Sequence, residues 1–160
     1  MKLAFSNDIS EFLLSLYEFH VRYLVVGGEA VIYYGHARLT GDIDIFYDVS
    51  EENVKNLYAA LVKFWSGDVP GIENEGELAQ RGTIFQFGVP PNRIDLISEI
   101  EGVEFQDAWK NRVEEKFDWA GKEMVVYYIG LDDLIKNKNA VRRHKDLDDL
   151  EFLIRVSRRK

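Results

Sequence analysis

Two aspartates, Asp42 and Asp44, are separated by a single apolar residue in an alternating run. Because successive side chains of a β-strand point to opposite faces, both carboxylates leave one face, while Ile43 and Ile45 point into the core. Two like charges on one face require a cation between them. Carboxylate oxygens favour Mg²⁺ or Mn²⁺, and the chain has no cysteine for a softer metal site. The pattern therefore predicts a divalent-metal site.

A glycine pair, Gly27 and Gly28, begins fifteen residues before Asp42. It follows a short apolar strand predicted at 23–26 and precedes a helix predicted at 29–34. Strand, glycine turn and helix N-terminus in this order aim free backbone N–H groups at one point, which suits phosphate. Glycines and aspartates together predict a nucleoside triphosphate held beside its metal ions.

A third carboxylate, Asp95, lies among apolar residues in a strand predicted at 93–97. A charge inside such a run is costly unless it is paired or bound to metal. Taken alone, a salt bridge to Arg93 or a strand-end surface position explains it. Taken with Asp42 and Asp44, three carboxylates on adjoining strands are typical of two-metal phosphoryl or nucleotidyl transfer. There Asp42 and Asp44 would bridge the metals, and Asp95 would complete the second metal site and act as general base.

The elements that must position these side chains alternate between helix and strand. A helix is predicted at 8–19, capped by Asn7 or Asp8, and another at 51–64, capped by Ser50. Residues 66–82 contain four glycines and one proline and predict a connection of little regular structure. The remaining predicted elements are strands at 41–48, 82–88, 93–97 and 124–129, a hairpin turn at 89–92, and helices at 104–112 and 131–156, the last broken near His144.

This order predicts an α+β fold with a mixed sheet, helices on one face and a C-terminal helical element. A length of 160 residues fits one domain. We expect a single domain over 1–160, made of a catalytic α/β core at 1–130 and a C-terminal helical region at 131–160.

Charge is distributed unevenly along the chain. The net charge of −8 argues against a general nucleic-acid binder, and no double-stranded DNA partner is expected. Residues 136–160 nevertheless hold nine Lys or Arg against four Asp or Glu, so this end is +5 and the preceding 135 residues are −13. The basic end could face a triphosphate or an RNA, or form a solvated helix end. No apolar run approaches a membrane span, and a cytoplasmic location is predicted.

The order of glycine pair, Asp-x-Asp strand and later aspartate resembles the DNA polymerase beta-type nucleotidyltransferase superfamily. The chain is most similar to its small bacterial and archaeal branch, which is related to abortive-infection toxins of the toxin–antitoxin type. The resemblance covers about residues 10 to 152. The residues that carry it are Val26-Gly27-Gly28-x-Ala30-Val31, Tyr34-Gly35, Arg38-x-Thr40-x-Asp42-Ile43-Asp44, Gly88-Val89-Pro90-Pro91-Asn92-Arg93-Ile94-Asp95, Gly102-Val103-x-Phe105-x-x-Ala108-Trp109, Leu134-Ile135-x-Asn137-Lys138-x-Ala140 and Lys145-Asp146-Leu147-x-Asp149.

The resemblance implies a minimal nucleotidyltransferase fold with Mg²⁺ and an NTP donor. It places Gly27, Gly28, Arg38 and Thr40 along the triphosphate, and Lys138 and Lys145 where a C-terminal helix reaches the phosphates; a solvated helix face is the other reading of these two lysines. Two positions depart from the pattern. Glu29 stands where a small or neutral residue is commoner, and Arg142 stands where a helix break often has glycine.

Three functions follow from this reading. The first is transfer of a nucleoside monophosphate to a tRNA end or a protein hydroxyl, as in related toxins, with an antitoxin as a possible partner. The second keeps the chemistry but uses a small molecule, such as an aminoglycoside or lincosamide antibiotic, as acceptor. The third is a nucleotide-binding or interaction module without turnover, which Glu29 and the small size would suit. The acidic body favours a cationic drug, whereas the basic tail favours RNA.

Overall fold

The computed structural model describes residues 5–159, and their helices and strands confirm the predicted α+β class. The predicted division at residue 130 falls between the last strand and the C-terminal helices. Residues 1–4 and 160, which belong to the predicted domain, lie outside the described residues. The elements are α1 (Asn7–Glu18), β1 (Tyr23–Val26), α2 (Gly27–Tyr33), β2 (Asp42–Tyr47), α3 (Glu51–Phe64), a 3-10 helix (Glu75–Ala79), β3 (Ile84–Phe87), β4 (Arg93–Ile97), α4 (Phe105–Lys110), β5 (Val113–Trp119), β6 (Lys122–Tyr128), α5 (Leu131–Val141) and α6 (His144–Arg158).

The strands described in residues 5–159 form one mixed sheet in the order β3-β4-β2-β1-β6-β5. β2 is antiparallel to β1 on one side and parallel to β4 on the other. β3 and β4 form the predicted hairpin, whose turn is closed by a hydrogen bond from Asn92 N to Val89 O of 2.9 Å. The central position of β2 places its two aspartates between the glycine end of β1 and the strand that carries Asp95.

Helices cover both faces of the sheet, so the expectation of helices on one face is wrong. Alternate residues of the central strands enter two separate cores. Ile43 and Ile45 of β2 pack with α1 and α3 on one face. Phe46 of β2 and Val26 of β1 pack with α2, α4, α5 and α6 on the other. Asp42 and Asp44 lie on the same face as Phe46, beside the second core.

Strand β5 was not predicted, because an acidic residue interrupts its apolar alternation. Val113, Phe117 and Trp119 point inward, but Glu115 occupies the inward position between them. Its carboxylate accepts a hydrogen bond of 2.6 Å from the Tyr33 hydroxyl, and this gives the half-buried polar group a hydrogen-bond partner. Ala120 and Gly121 form the turn to β6, and both have the positive φ that a tight hairpin needs.

The segment 66–82 is more regular than predicted. It contains the 3-10 helix, which Asn74 and Glu77 cap. Leu78 is fully buried, and its carbonyl accepts a 2.8 Å hydrogen bond from the Tyr47 hydroxyl. Burial of an apolar side chain therefore anchors a connection whose glycines suggested an irregular loop.

Three helix boundaries can be compared with their predictions. α1 is capped by Ser6, whose hydroxyl accepts a 3.3 Å hydrogen bond from Ile9 N, so the choice of Asn7 or Asp8 is wrong. Ser50 is the N-cap residue of α3, as predicted. The break before His144 is confirmed, and Arg142 adopts a left-handed φ of 55° there. Arg142 thus takes the conformation that glycine would take at a helix end. Within residues 5–159, no helix combines the length and the apolar character needed to cross a bilayer.

Candidate active site

The parallel pairing of β2 with β4 brings the three predicted carboxylates together. Asp44 lies directly opposite Asp95, and Asp42 lies opposite Arg93. Carboxylate oxygens of Asp42, Asp44 and Asp95 all lie within 4.8 Å of one another. Asp95 is buried, and the other two are partly exposed. Neighbouring strands of a sheet lie about 4.8 Å apart. This spacing allows Asp44 and Asp95, which are 51 positions apart in sequence, to share one site.

The guanidinium of Arg93 joins two of these carboxylates. Its Nη2 donates to Asp42 Oδ2 at 2.8 Å, and its Nε donates to Asp95 Oδ1 at 2.9 Å. The salt bridge that the sequence offered as the alternative reading of Asp95 is therefore present, and it coexists with the carboxylate cluster. One cation among three carboxylates leaves the cluster with a negative excess.

Burial and this negative excess together shift the pKa values of the three carboxyl groups. Burial, together with the charges of Asp42 and Asp95, raises the pKa of Asp44 to about 8. Burial also raises the pKa of Asp95, against the opposing effect of Arg93. Burial acts in the same direction on Asp42, but hydrogen bonds from Asp95, Arg93 and Thr40 outweigh it and leave the pKa of Asp42 lowered. Crowded carboxylates of this kind gain from a bound cation.

The glycine pair lies against the cluster. Gly27 has a φ of +65°, and a Cβ placed there would lie 2.1 Å from Asp44 Oδ2. A Cβ at Gly28 would lie 2.9 Å from Thr40 Oγ1 and 3.8 Å from Arg38 Cζ. Both positions therefore require glycine for space, and Gly27 requires it for conformation as well. The Thr40 hydroxyl lies 3.1 Å from Asp42 Oδ1.

Glu29 adds a further carboxyl group at the edge of the site. It lies in the first turn of α2, directly after the glycine pair. Burial and the charge of Asp42 raise its pKa. The departure noted in the sequence therefore places beside the cluster a carboxyl group whose ionised form is disfavoured.

Lys138 lies in a second ionic cluster, between α5 and α6. Its side chain is buried, with Nζ 3.0 Å from Asp146 Oδ1 and 3.2 Å from Asp149 Oδ2. Asp149 also accepts a hydrogen bond from Arg38. A chain of charges thus connects the C-terminal helices to the loop that carries Arg38 and Thr40.

Other groups of this region differ in their placement. Lys145 is exposed in the first turn of α6. Arg143 donates to Asp146 Oδ2 at 2.7 Å. This hydrogen bond is the main cause of the raised pKa of Arg143, and the charges of Asp146, Asp44 and Glu101 add to it. Sequence reasoning did not select Arg143, although its position at the predicted helix break was a usable signal. His36 stacks on Phe152, with ring centroids 4.5 Å apart.

The donor set fits a divalent metal. Sites for Mg²⁺ and Mn²⁺ require hard oxygen ligands on rigid elements and a net negative charge, and this cluster has both. Its carboxyl groups also lie too close together to ionise freely without a cation. A second group of potential ligands, formed by His36, Asp148 and Asp149, also lies within 4.8 Å. Its Asp149 is already paired with Arg38 and Lys138, which makes it a poor competitor.

A cavity of about 610 Å³ opens on the same sheet face as the carboxylates. It lies between residues 81–84 and residues 97–106, at the carboxyl ends of β2 and β4. Phe46 and Ile97, which line it, each follow a cluster aspartate by two residues and therefore share its face.

The mixed sheet and its carboxylate cluster are consistent with a minimal nucleotidyltransferase-like fold. Residues 3–154 match the family described as "Nucleotidyltransferase of unknown function (DUF6036)". This match spans most of the chain, and the protein belongs to that family. No curated protein matches the chain. The family supports the predicted nucleotidyltransferase class.

Proposed function

We propose that this chain transfers a nucleoside monophosphate from an NTP to a hydroxyl acceptor, with Mg²⁺ or Mn²⁺. The acceptor oxygen bonds to the α-phosphorus, the bond from that phosphorus to pyrophosphate breaks, and the acceptor proton passes to a carboxylate. The observation that carries the proposal is the meeting of Asp42, Asp44 and Asp95 beside glycines packed against them. Membership in a nucleotidyltransferase family supports it.

The proposed roles follow the placement of each side chain. Asp42, Asp44 and Asp95 would hold the metal ions, and Asp95 would accept the hydroxyl proton. Bound metal would neutralise phosphate charge and lower the pKa of the attacking hydroxyl. Gly27 and Gly28 would let the triphosphate approach the backbone closely.

The basic residues have two proposed roles. Some would contact phosphate directly, and others would position those that do. Arg38 and Thr40 lie against Gly28 and would donate to phosphate oxygens. Lys138 holds Asp149, which in turn binds Arg38, and this favours a positioning role for Lys138. Lys145 is exposed on α6 and would reach phosphate as a direct contact.

The acceptor defines the biological role. The resemblance favours a tRNA end or a protein hydroxyl, in a cytoplasmic toxin controlled by an antitoxin. The acidic surroundings of the cavity favour the alternative of a small-molecule acceptor. Glu29 beside the cluster favours a module that binds nucleotide without turnover. We propose that the whole chain, 1–160, acts as one domain in each case.

The test incubates the protein with each α-labelled NTP, Mg²⁺ or Mn²⁺ and a cell extract, and sorts the label into RNA, protein and small-molecule fractions. Asp44→Asn is the matched control. Label that appears in one fraction and vanishes with the variant supports transfer and names the acceptor class. Metal-dependent NTP binding without label in any fraction supports the non-catalytic module instead.

A further inference from the structure

We propose that Arg143 binds the α-phosphate of the NTP, at the opposite end of the carboxylate cluster from Arg38. The inference rests on the proposed function, because it adds a catalytic residue to that reaction. It depends on how α6 holds the two arginines, on where each end of α6 lies, and on the charges that face Arg143.

One helix holds both arginines through two buried carboxylates. Asp146 and Asp149 lie three positions apart on α6 and therefore share one face of the helix. Lys138 Nζ lies between them, 3.0 Å from Asp146 Oδ1 and 3.2 Å from Asp149 Oδ2. Asp146 binds Arg143. Asp149 in turn binds Arg38. The buried lysine therefore fixes the two carboxylates, and each carboxylate fixes one arginine.

The later part of α6 lies at the glycine end of the cluster. A Cβ at Gly35 would lie 3.7 Å from Phe152 Cζ, so this part of the helix packs against the segment that leads to Arg38. A Cβ at Gly28 would lie 3.8 Å from Arg38 Cζ. Arg38 would therefore bind the phosphates that lie beside the glycine pair.

The beginning of α6 lies at the other end, beyond the carboxyl end of β4. Glu101 follows β4 by four residues, and its carbonyl accepts a 2.9 Å hydrogen bond from Asn137 of α5. Arg143 lies two residues beyond the end of α5. The hydrogen bond to Asp146 is the main cause of the raised pKa of Arg143, and the charges of Asp44 and Glu101 add to it. Arg143 therefore faces the carboxylate cluster from the side of Glu101.

The guanidinium of Arg143 can bind a phosphate without leaving α6. It bonds Asp146 through Nε and Nη2, which leaves the edge that carries Nη1. The side chain is 60 % exposed, so this edge is accessible to a ligand. Asp44 is the cluster carboxylate that Arg93 does not bind. Because Arg38 would hold the outer phosphates, a guanidinium on the side of Asp44 would hold the α-phosphate, whose bond to pyrophosphate breaks.

The test measures binding of tripolyphosphate and of pyrophosphate, each with Mn²⁺, by calorimetry. Tripolyphosphate has the three phosphates of an NTP, whereas pyrophosphate has only the outer two. Arg142→Gln is the matched control, because it removes a neighbouring charge whose guanidinium bonds Asn139 instead. We expect Arg143→Gln to weaken tripolyphosphate by about tenfold and pyrophosphate by less than about threefold. Arg142→Gln should change each by less than about twofold.

A second variant separates the phosphate contact from the structural role of Arg143. Arg143→Lys keeps the charge and the backbone N–H that bonds Asp146, but an ammonium group has no second edge for phosphate. We expect it to weaken tripolyphosphate by about threefold. Asp146 keeps its bond to Lys138 in both variants, so urea unfolding should show that both are folded. If Arg143→Gln does not fold, the comparison of Arg143→Lys with Arg142→Gln decides the inference.

Binding and labelled transfer together distinguish this inference from the proposed function. Equal effects of the Arg143 and Arg142 variants, in a protein that transfers label, overturn the inference and leave the function in place. Equal weakening of both ligands by Arg143→Gln would show general charge attraction and also overturns it. Tripolyphosphate binding that depends on Arg143, without label in any fraction, supports the phosphate contact and overturns the transfer. Failure of the wild type to bind tripolyphosphate overturns both.

Discussion

Two ionic clusters lie on either side of the loop that carries Arg38, and they differ in charge balance. In the cluster of Asp42, Asp44 and Asp95, the guanidinium of Arg93 binds Asp42 and Asp95 but not Asp44. Burial and the neighbouring charges raise the pKa of Asp44 to about 8. In the cluster of Asp146 and Asp149, each carboxylate has two cationic partners, and these are supplied by Lys138, Arg38 and Arg143. We call this second group the balanced cluster and the first the unbalanced cluster.

In the balanced cluster, the pKa of Asp146 is shifted in the opposite direction from that of Asp44. Burial raises the pKa of Asp146, but hydrogen bonds from Arg143 and Lys138 outweigh this effect and lower the pKa to about 2. Paired charges can hold elements together, whereas an unbalanced group of like charges opposes folding. We infer that the balanced cluster fixes α6 and Arg38, and that the unbalanced one is kept for binding.

The largest expected effect separates the two clusters by function. Asp44→Asn should reduce transfer by about a thousandfold, because metal stabilisation of the transition state is worth several kcal/mol. Its free energy of unfolding should stay equal or rise, since the amide replaces a carboxyl group whose ionisation the folded state opposes. Asp149→Asn should instead lower that free energy by about 3 kcal/mol. Labelled transfer and urea unfolding measure both, and a fall in stability for Asp44→Asn would break the comparison.

Removal of the buried cation should be the next largest effect. Lys138→Met leaves Asp146 and Asp149 short of a partner, and we expect a loss of about 3 kcal/mol in urea unfolding. Lys145→Met on the exposed side of α6 is the matched control and should change stability by less than about 0.5 kcal/mol. Lys145→Met should raise the KM for NTP. Equal stability of the two variants would contradict a structural role for Lys138.

The backbone beside the unbalanced cluster can be tested through its glycines. Gly27→Ala places a Cβ against Asp44, whereas Gly71→Ala, at a similar φ of +75°, meets nothing within 4 Å. Both variants should lose about 1 kcal/mol of stability from left-handed strain, and Gly27→Ala should lose more because its Cβ must displace the Asp44 side chain. Only Gly27→Ala should also lower transfer, by about a hundredfold, because it displaces a proposed metal ligand. Equal transfer by both variants would remove Gly27 from the site.

The smallest effect is a pH dependence of the balanced cluster. In the folded protein the pKa of Asp146 is about 2, below its ordinary value of 3.8. Its stabilisation is therefore complete above about pH 4 and is lost as the pH falls through about 2. Urea unfolding between those values should show a shallower acid loss for Asp146→Asn than for the wild type. Parallel curves would show that Asp146 does not titrate with folding.

Prediction from sequence succeeded where local pattern decided the structure. The alternation through Asp42 and Asp44 identified β2, and the apolar run around Asp95 identified β4 at its observed bounds. Prediction failed where contacts with residues distant in sequence determined the structure. Glu115 accepts a hydrogen bond from Tyr33 of α2, and Leu78 is buried in the core with its carbonyl bonded to Tyr47. Neither could be interpreted from its neighbours in sequence.

The same division applies to the site. Sequence alone determined which residues have the chemistry, since a glycine pair and three aspartates in strand-forming runs are local properties of the chain. Only the tertiary structure decided which charges are balanced. Strand register placed Asp44 against Asp95 and Arg93 against Asp42, and helix packing joined Lys138 to Asp149. Electrostatic energy depends on distance through space, and distance along the sequence does not report it.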